Sequence, residues 1–369
     1  MTIAELLNNP SEWIRAEGPN SKIVFTSRVR LARNIRGMPF PGWARKPDRQ
    51  RVLELVQPLV QTLGEMQESY SDSMDNITAI DKQVLVERHL ISRDHAAKNV
   101  GSGVVINDRE TVSVMINEED HLRMQALKSG LQLKNVFKLI DKVDTELEQR
   151  LDIAFSPRLG YLTACPTNVG TGMRASAMLH LPAMVLSDQI NQVIQAVNKL
   201  GLAVRGLYGE GTEALGNIFQ ISNQTTLGER ELDVIERLDK VIKQIIEHEE
   251  NARLMLLEKK QKFIYDQLGR AFGILTNAHS LTSKEALNLL SLMRLGADVG
   301  LFDAAARGAV DEMFIAAQPA HVQKAAERKL SAEERDVFRA DLVRERLAAL
   351  PRPRMDGRMP GESSPAESE

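Results

Sequence analysis

The spacing of apolar residues divides the chain into two parts of different character. Up to about residue 230, apolar and β-branched runs are short and end at glycines or polar turns. Beyond Leu232, apolar residues recur every three or four positions as far as Ile246, which is typical of an amphipathic helix. The pattern predicts a front part that mixes strands with helices and a back part that is helical.

In the front part, predicted strands alternate with predicted helices. A strand begins at 23–25, and the runs 104–106 and 111–116 flank the polar segment Asn-Asp-Arg-Glu as the two arms of a hairpin. Further strands are predicted at 161–164 and 217–221. Helices are predicted at 47–68, 120–128, 134–150 and 187–200, the last of which ends at Gly201.

The back part contains four further predicted helices, at 283–295, 303–317, 320–328 and 331–349. Gly296, Gly300 and Pro319 separate them, because glycine and proline interrupt helices. The last residues, 351–369, are rich in proline and serine, and we predict a disordered tail there.

Composition and charge exclude several classes of protein. With 43% apolar and 26% charged residues among 369, the chain has an ordinary globular composition and is long enough for two domains. Its net charge of −3 shows no overall basic bias, so we expect no membrane partner and no direct nucleic-acid partner. A single cysteine, no apolar run of about 18 residues and no secretion signal at the start predict a soluble, cytoplasmic protein.

Arginines recur beside the predicted strands and glycine turns, at Arg28, Arg30, Arg123, Arg174 and Arg205. The G-x-x-x-x-G-K-[ST] loop and the protein-kinase motifs are absent from the sequence. Arginine side chains bind phosphate oxygens in pairs and keep their charge at any working pH. Five converging arginines could hold a triphosphate with its magnesium ion, although each one taken singly is equally an ordinary surface residue.

Two acidic motifs accompany the arginines. Glu118 and Glu119 follow a β-branched run, with Arg123 four residues after Glu119. Glu210 stands between two glycines, where a tight turn can project its side chain into a cleft. The alternative for residues 118–120 is the N-terminus of a helix, where acidic side chains interact favourably with the helix dipole.

Five motifs, in this order along the chain, resemble the phosphagen (guanidino) kinase family. They are TSRVRLARN (26–34), NEEDHLR (117–123), CPTNVGTGMRAS (165–176), RGLYGEGTEALGNIFQISN (205–223) and LGERE (227–231). The resemblance covers roughly residues 20–250 and is greatest to the family's bacterial branch of protein-arginine kinases, whose helical back end this chain also resembles.

The resemblance implies an α/β (α+β) fold, in which a mainly antiparallel sheet flanked by helices is followed by an all-helical C-terminal domain. The corresponding boundaries are 1–22 for an N-terminal extension and 23–252 for the catalytic domain. Residues 253–350 would form the helical domain for dimerisation and phosphoarginine sensing, and 351–369 the tail.

The resemblance also implies functional residues. Glu119 and Glu210 match two carboxylates that grip the substrate guanidinium, and Cys165 matches a thiol beside it, with a small buried hydrophobe as the alternative. His89 matches a histidine against the nucleotide, and its alternative is a buried strand–loop junction. The nucleotide-binding segments correspond to Thr26, Ser27, Arg28, Val29, Arg30, His89, Arg123, Arg174, Ala175, Ser176, Ala177, Met178, Arg205, Gly206, Leu207, Tyr208, Gly209 and Glu210.

These roles agree with the chemistry of a guanidinium, whose pKa above about 12 makes it a poor nucleophile until it loses a proton and is aligned. Two carboxylates can clamp the planar group, aim one nitrogen at the γ-phosphorus and accept the proton. ATP and Mg²⁺ are the implied cofactors. We expect Gly170 and Gly172 to allow close backbone approach, Arg174 to reach the phosphates and a Cys165 thiolate to favour the guanidinium cation.

A polypeptide substrate is expected from the position of the first motif, which begins at residue 26. The helical N-terminal domain with which family members close over small guanidino compounds is then expected to be missing, and the cleft to be open. The implied activity is phosphorylation of arginine side chains in proteins. The alternatives are a phosphagen kinase acting on free guanidino compounds and a non-catalytic adaptor that binds phosphoarginine.

A second site is predicted near the end of the helical domain. Arg335 and Arg339 would lie on one helix face and hold a phosphate, while Asp336 accepts from a guanidinium. The segment resembles the allosteric phosphoarginine pocket of the same branch, and a solvated helix with ion pairs is the alternative. The pocket would comprise Arg335, Asp336, Val337, Phe338, Arg339 and Ala340.

Partners are implied by the resemblance as well. They are protein substrates with exposed arginines, a heat-shock repressor among them, a zinc-binding activator protein, and a Clp-type unfoldase–protease that degrades the marked clients. The apolar stripes of the helical domain exceed what one layer of helices needs, so we predict a homodimer or a higher oligomer formed through residues beyond about 255.

Overall fold

The computed structural model describes residues 1–206 and 214–354, apart from the side chain of residue 304, and divides into two compact units. The first comprises Met1–His180, Ile190–Ala214 and Ile218–Glu247. The second comprises Leu181–Gln189, Leu215–Asn217 and the chain from His248 onward. The domain boundaries given above stay predictions, and the segments 181–189 and 215–217 of the second unit were not anticipated.

An antiparallel sheet forms the centre of the first unit. Its strand order is β2-β3-β4-β5-β1-β8-β10-β9, so that within the described residues eight strands form one sheet and β6 and β7 form a separate pair. The strands, numbered β1 to β10 along the chain, are Val24–Arg33, Ser69–Ser73, Gly103–Asn107, Val112–Ile116, Leu122–Ser129, Phe155–Ser156, Gly160–Tyr161, Met173–His180, Leu202–Gly206 and Ile218–Asn223.

Helices flank this sheet and make up most of the second unit. Helix α8 passes through the division between the two units, and the elements after it are all helical in the described residues. The helices, numbered α1 to α13 along the chain, are Ile3–Leu7, Lys46–Gln61, Ala79–Glu87, Arg93–Ala96, Leu133–Glu148, Pro182–Leu186, Ile190–Lys199, Glu231–Lys259, Gln261–Asn277, Ser283–Asp298, Ala304–Ala316, Pro319–Ala325 and Ala332–Leu347.

The two faces of the central strand β1 have different environments because successive side chains of a strand alternate. On one face, the Ser27 hydroxyl donates to the carbonyl of Gly130 (2.9 Å) and accepts from the amide of Gln132 (2.8 Å), just before α5 begins. On the same face, Arg33 forms a buried ion pair with Asp144 of α5 (2.6 Å). Helix α5 therefore covers this face and leaves the other face of the central strands for a site.

Several predicted elements are confirmed. The hairpin is formed by β3 and β4, the run 217–221 lies in β10, and 134–150 corresponds to α5. Helix α7 lies within 187–200, and the helices predicted between 283 and 349 correspond to α10, α11, α12 and α13. The mainly antiparallel sheet with flanking helices and the helical C-terminal region agree with the predicted fold class.

Three predictions about elements are wrong. The run 120–128 was predicted as a helix, but it belongs to strand β5, which pairs with β4 on one side and β1 on the other. The strand predicted at 161–164 is limited to Gly160–Tyr161, and the helix predicted at 47–68 ends at Gln61. For 120–128, pairing with the distant strand β1 outweighs local propensity. No helix among the described residues combines the length and apolar character that crossing a membrane would require.

The second unit has a buried network of charges. Glu249 accepts hydrogen bonds from the amides of Ala183 and Met184 at the start of α6 and pairs with Arg253 (2.8 Å). Arg253 also reaches Asp298 at the end of α10 (3.3 Å). Buried charges are costly unless they are paired, so this network fixes which helices pack together.

Candidate functional site

The register of the sheet brings four of the five predicted arginines to one face. Arg30 on β1 lies directly opposite Arg174 on β8 and opposite Gln125 on β5. Residues that oppose one another across antiparallel strands share a face, and so do residues two apart on a strand. Arg123, two residues before Gln125, and Arg28, two residues before Arg30, therefore lie on the same face as Arg30.

The fifth predicted arginine also belongs to this face. Arg205 on β9 opposes Gln220 on β10, and the Gln220 side chain accepts a hydrogen bond from Arg28 (2.7 Å). Four of the arginines, together with Glu119 and Cys165, line a cavity of about 190 Å³. We call it the arginine cavity and define it by Arg30, Arg123, Arg174, Arg205, Glu119 and Cys165.

The arginines of this face repel one another. Burial lowers the pKa of Arg28 to about 10, and the charge of Arg123 adds to that effect. Burial and the neighbouring guanidinium of Arg28 bring the pKa of Arg30 well below its usual value, and burial and Arg205 lower the pKa of Arg174. The buried Nε atoms of Arg28 and Arg30 have no hydrogen-bond partner among the described residues. A polyanion in the cavity would relieve this repulsion.

An acidic turn between β4 and β5 lies beside the arginine cavity. Asn117 begins the turn with a left-handed φ of 57°, and its amide donates to the carbonyl of His121 (2.9 Å). Glu118 is buried and accepts two hydrogen bonds from Arg123 (2.7 and 2.6 Å) and one from Ser92 (2.6 Å). Burial alone would raise the pKa of Glu118, but the Arg123 guanidinium outweighs it and holds that pKa at about 2. The turn is not a helix N-terminus, so that alternative is wrong.

Glu119 occupies a different position from its two neighbours. Asp120 is buried and accepts hydrogen bonds from Asn34 (2.6 Å) and from the amide of Ala164 (2.7 Å). Glu119, between the two buried acids, is exposed and lines the arginine cavity. Partial desolvation and then the charge of Asp120 raise the pKa of its carboxyl group. The turn therefore presents one carboxylate with an increased proton affinity at the edge of the cavity.

Cys165 lies in the same cavity, and the structure shows why two glycines follow it in the motif. The thiol is half-buried, with its Sγ 3.0 Å from the Thr167 hydroxyl, so the alternative of a small buried hydrophobe is wrong. Gly172 has φ +64°, and a Cβ there would lie 2.6 Å from Nη1 of Arg33 and 2.7 Å from the carbonyl oxygen of Ala32. The close approach allowed by Gly172 is thus to the chain itself. At Gly170 a Cβ would likewise meet the backbone of residues 226–227.

The remaining predicted nucleotide residues divide by face. The side chains of Thr26, Ser176 and Met178 share the face of Arg28, since they oppose one another across β1 and β8 or lie two residues apart. Because side chains alternate along a strand, half of those in each contiguous motif must point to the opposite face, away from the cavity. These are the side chains of Ser27, Val29, Ala175 and Ala177. Gly206 ends β9. Leu207, Tyr208, Gly209 and Glu210 lie outside the described residues.

His89 lies near the arginine face. Its ring packs edge-on against Trp13, with ring centroids 4.7 Å apart, and its carbonyl accepts from Gln125 (2.7 Å). Burial and then the charge of Arg28 lower the pKa of His89 to about 3, so its imidazole is neutral at physiological pH. This position is compatible with both interpretations of His89, which stay predictions.

The segment predicted as a phosphoarginine pocket lies on α13, but not with both arginines on an open face. Arg339 is fully buried, and its guanidinium donates to the carbonyls of Ala317 and Leu281 (2.7 Å each) and to Asp336 (2.5 Å). Arg335 is half-buried and donates to the carbonyl of Leu330 (3.2 Å). Burial of Arg339 contradicts the solvated-helix alternative, whereas the phosphoarginine pocket stays a prediction. Val337 is exposed, Phe338 half-buried and Ala340 buried.

A second cavity beside Glu119 was missed from the sequence. It measures about 700 Å³, and its wall includes Phe40, Trp43, Asp94, Lys98 and Glu119. We call it the tryptophan cavity and define it by these five residues. The signal in the sequence was weak because, apart from Glu119, these residues come from two segments about fifty positions apart that carry no familiar motif. The described residues contain no group of three His, Cys, Asp or Glu side chains suited to a metal ion.

Two family models match the chain. Residues 51–252 match the ATP:guanido phosphotransferase C-terminal catalytic domain, and residues 261–358 match the protein-arginine kinase McsB C-terminal domain. The first match contains three of the five predicted arginines, Arg123, Arg174 and Arg205, and also Glu119, Cys165 and Glu210, whereas Arg28 and Arg30 of β1 precede it.

Similar proteins match along nearly the whole chain. A protein-arginine kinase of Halothermothrix orenii is 46% identical over 348 residues, which cover 94% of this chain and 99% of that protein. A protein-arginine kinase of Brevibacillus brevis is 44% identical over 353 residues, covering 95% of this chain and 99% of that protein.

Solved structures share the fold at lower identity. A lombricine kinase has a TM-score of 0.55 and 24% identity, covering 67% of this chain and 75% of that one. A duplicated taurocyamine kinase from Schistosoma mansoni has a TM-score of 0.56 and 22% identity, covering 90% of this chain and 51% of that one. The near full-length matches at 44–46% identity, together with both family models, show that this chain belongs to the protein-arginine kinase family of ATP:guanido phosphotransferases.

Proposed function

We propose that this enzyme transfers the γ-phosphoryl group of ATP to a guanidinium nitrogen of arginine side chains in polypeptides. The observation that carries the proposal is the exposed carboxylate of Glu119 at the edge of a face of mutually repelling arginines. The arginines are suited to bind a polyanionic phosphoryl donor, and Glu119 is suited to bind a cationic phosphoryl acceptor. Because the arginines and Glu119 line the same arginine cavity, donor and acceptor would meet there.

The arginine face is suited to a nucleotide triphosphate. Arg30, Arg123, Arg174 and Arg205 would bind its phosphate oxygens, and Arg28 would stand beside them with its unpaired Nε atom. Mg²⁺ bound with ATP neutralises charge on the transferring phosphoryl group. The ion pair with Glu118 fixes the position of Arg123, so that this guanidinium is oriented before any ligand arrives.

Glu119 would act on the acceptor. The acceptor guanidinium loses a proton to a carboxylate while its nitrogen forms a bond to the γ-phosphorus, and the bond from that phosphorus to the β–γ bridging oxygen breaks to release ADP. Because its pKa is raised, the Glu119 carboxylate is a better proton acceptor than a carboxylate with the usual pKa. We assign the second clamp position to Glu210, as the sequence predicts, and a supporting electrostatic role to Cys165.

The test is detection of phosphoarginine. The enzyme is incubated with labelled Mg-ATP and an unfolded, arginine-containing protein, and the modified residues are identified by mass spectrometry. We expect acid-labile, base-stable label on arginine, and its loss in Glu210→Ala. Absence of label from the wild type, even with an activator protein present, would contradict the proposal, and so would label confined to serine or threonine.

The alternative of a phosphagen kinase for small guanidino compounds is tested in the same assay. Free arginine or creatine is supplied instead of the protein, and formation of the small phosphagen is followed. We expect a much higher kcat/KM with the polypeptide, because the tryptophan cavity opens beside Glu119 and leaves room for flanking chain. The non-catalytic adaptor is tested by the wild-type reaction itself, since it would bind phosphoarginine without forming it.

Regulation and partners form a further part of the proposal. We propose that phosphoarginine binds near Arg335 and Asp336 and tunes activity, and that a zinc-binding activator and a Clp-type unfoldase–protease act with the enzyme in stress response and protein quality control. The half-buried position of Arg335 supports access for a ligand. Calorimetry with phosphoarginine should show binding to the wild type that Arg335→Ala weakens, and a Clp-type protease should degrade a phosphorylated client faster than the unphosphorylated one.

A further inference from the structure

Three cavities of the first unit are neighbours, because each shares at least one wall residue with the next. Glu119 lines both the arginine cavity and the tryptophan cavity. Ala97 and Lys98 line both the tryptophan cavity and a third cavity of about 420 Å³, whose wall also includes Lys46, Arg49 and Asp75. We call this third one the lysine cavity and define it by Lys46, Arg49, Lys98 and Asp75.

Trp43 is the unusual residue of this series. Its side chain is 91% exposed, although the indole is among the largest apolar groups that a protein can bury. A short turn presents it, in which the amides of Trp43 and Ala44 both donate to the carbonyl of Phe40 (2.9 Å each). An exposed aromatic side chain on a hydrogen-bonded turn beside a catalytic carboxylate is suited to bury an apolar side chain of a bound partner.

Charge changes along the series. The wall of the tryptophan cavity carries three carboxylates, Asp94, Glu118 and Glu119, against the single cation of Lys98, and no ion pair among the described residues engages Asp94 or Glu119. The lysine cavity carries three cations, Lys46, Arg49 and Lys98, against the single carboxylate of Asp75, which also accepts from the Ser73 hydroxyl (2.5 Å). A cationic side chain is therefore favoured at one end of the series and an anionic side chain at the other.

From this arrangement, and resting on the proposed function, we infer that the tryptophan and lysine cavities form a groove for the substrate polypeptide on one side of the acceptor arginine. The acceptor guanidinium enters at Glu119, an apolar side chain of the substrate packs on Phe40 and Trp43, and an acidic side chain binds at Lys46, Arg49 and Lys98. Because an extended chain advances about 3.3–3.6 Å per residue, these preferences fall within a few residues of the acceptor.

Peptide kinetics test the aromatic part of the groove. With an arginine peptide carrying an apolar residue near the acceptor, Trp43→Ala should raise KM about tenfold while kcat changes little, since an exposed anchor contributes mainly to binding. The KM increase should be smaller for a blocked single arginine, which has no flanking chain. Leu55→Ala, which removes another exposed apolar side chain of the same unit, is the matched control and should leave both KM values as they are.

A charge scan tests the lysine cavity. Peptides carry Glu or Lys at each position on either side of the acceptor. We expect kcat/KM to be about fivefold higher for Glu than for Lys at positions on one side of the acceptor. Lys98→Glu should reverse this preference. Lys240→Glu, which changes an exposed lysine of α8, is the control and should retain it. The same preference in wild type and Lys98→Glu, or none in either, would overturn the charge assignment.

Fluorescence separates this inference from the proposed function. The chain has two tryptophans, and Trp13 is buried, so a change in the environment of Trp43 dominates any spectral change on binding. Adding an arginine peptide without nucleotide should shift the emission to shorter wavelength, and Trp43→Phe should abolish the shift. One outcome would contradict the groove and leave the proposed function standing. In it, the wild type phosphorylates arginine peptides, Trp43→Ala and Lys98→Glu have the same kinetics and peptide preference as the wild type, and no emission shift occurs. If no arginine is phosphorylated by the wild type, the proposed function fails and this inference with it.

Discussion

The guanidinium of Arg174 lies across a strand pair from that of Arg30, which places like charges together on one sheet face. Such an arrangement is unfavourable without an anion, and the lowered pKa values of Arg28, Arg30 and Arg174 express that cost. Under the proposed function, a bound triphosphate would convert this repulsion into binding energy. Residues that perturb one another in this way are concentrated at functional sites.

Replacement of one arginine by lysine tests whether geometry or only charge is needed. Arg174→Lys keeps the positive charge but loses the planar fork that bonds two phosphate oxygens at once. We expect KM for ATP to rise and kcat to fall, with a combined loss of about 100-fold in kcat/KM. Steady-state kinetics at varied ATP concentration measure it. Activity equal to that of the wild type would mean that Arg174 supplies only charge.

Glu119 makes a second prediction, on pH. The carboxylate is the active form, so activity falls as pH decreases through its pKa, and the raised pKa moves this loss to a higher pH than for an ordinary glutamate. The acidic limb of kcat/KM should accordingly lie above pH 4.5, the usual value for Glu. In Glu119→Gln, that limb should disappear and the remaining activity should be at least about 100-fold lower. A limb unchanged in Glu119→Gln would assign it to another group.

Some of these residues were predictable from the sequence and others were not. Arg28, Arg30, Arg123 and Arg174 each occur in a motif, and period-two spacing on strands brings them to one face once the register is known. Trp43 and Lys98 carry no motif, and only the fold brings their two loops to Glu119. The burial of Arg339 was not predictable, because helical spacing gives the face of a side chain but not whether that face is covered.

Among the elements, strand β5 shows how tertiary pairing determines local structure. Leu122 and Met124 are both fully buried, on a strand that pairs along its length with β1 and β4. The segment also contains good helix formers, which explains the wrong prediction of a helix at 120–128. Pairing on both sides places Arg123 opposite Ala32 and so in the arginine cavity. This pairing joins distant strands, so the sequence of the segment alone does not predict it.

The segment that leads into β8 depends on Gly172. Alanine there would combine left-handed backbone strain with a clash against the Ala32 carbonyl, since the added Cβ would lie 2.7 Å from that oxygen. We expect Gly172→Ala to lower the free energy of unfolding by about 3 kcal/mol. Gly228→Ala is the matched control, because Gly228 also has positive φ (+76°) but no atom within 4 Å of the added Cβ. It should cost only about 1 kcal/mol. Urea unfolding of both variants decides, and equal losses would contradict the role given to the clash.

At the scale of the whole molecule, the second unit exposes several large apolar side chains. Leu254, Met255, Phe263 and Ile274, on α8 and α9, are 39–50% exposed. An apolar surface of this kind supports the prediction of a homodimer formed through residues beyond about 255.

Sedimentation velocity tests that prediction at micromolar concentration. The wild type should sediment at twice the monomer mass or more, and Phe263→Asp should shift it toward the monomer, because a charge at a buried interface is unpaired. Leu55→Asp, at an exposed apolar position of the first unit, should leave the mass unchanged. A wild-type monomer would contradict the predicted assembly without affecting the chemistry.

The central claim is that a nitrogen–phosphorus bond forms on an arginine side chain held at Glu119. The most direct measurement is ³¹P NMR of a reaction that contains the enzyme, Mg-ATP and an unfolded protein whose arginine guanidinium groups carry ¹⁵N. The account predicts a new phosphoramidate resonance split by coupling to ¹⁵N, which is lost with Glu119→Gln. Consumption of ATP without any ¹⁵N-coupled phosphorus signal, or an undiminished signal from Glu119→Gln, would contradict it.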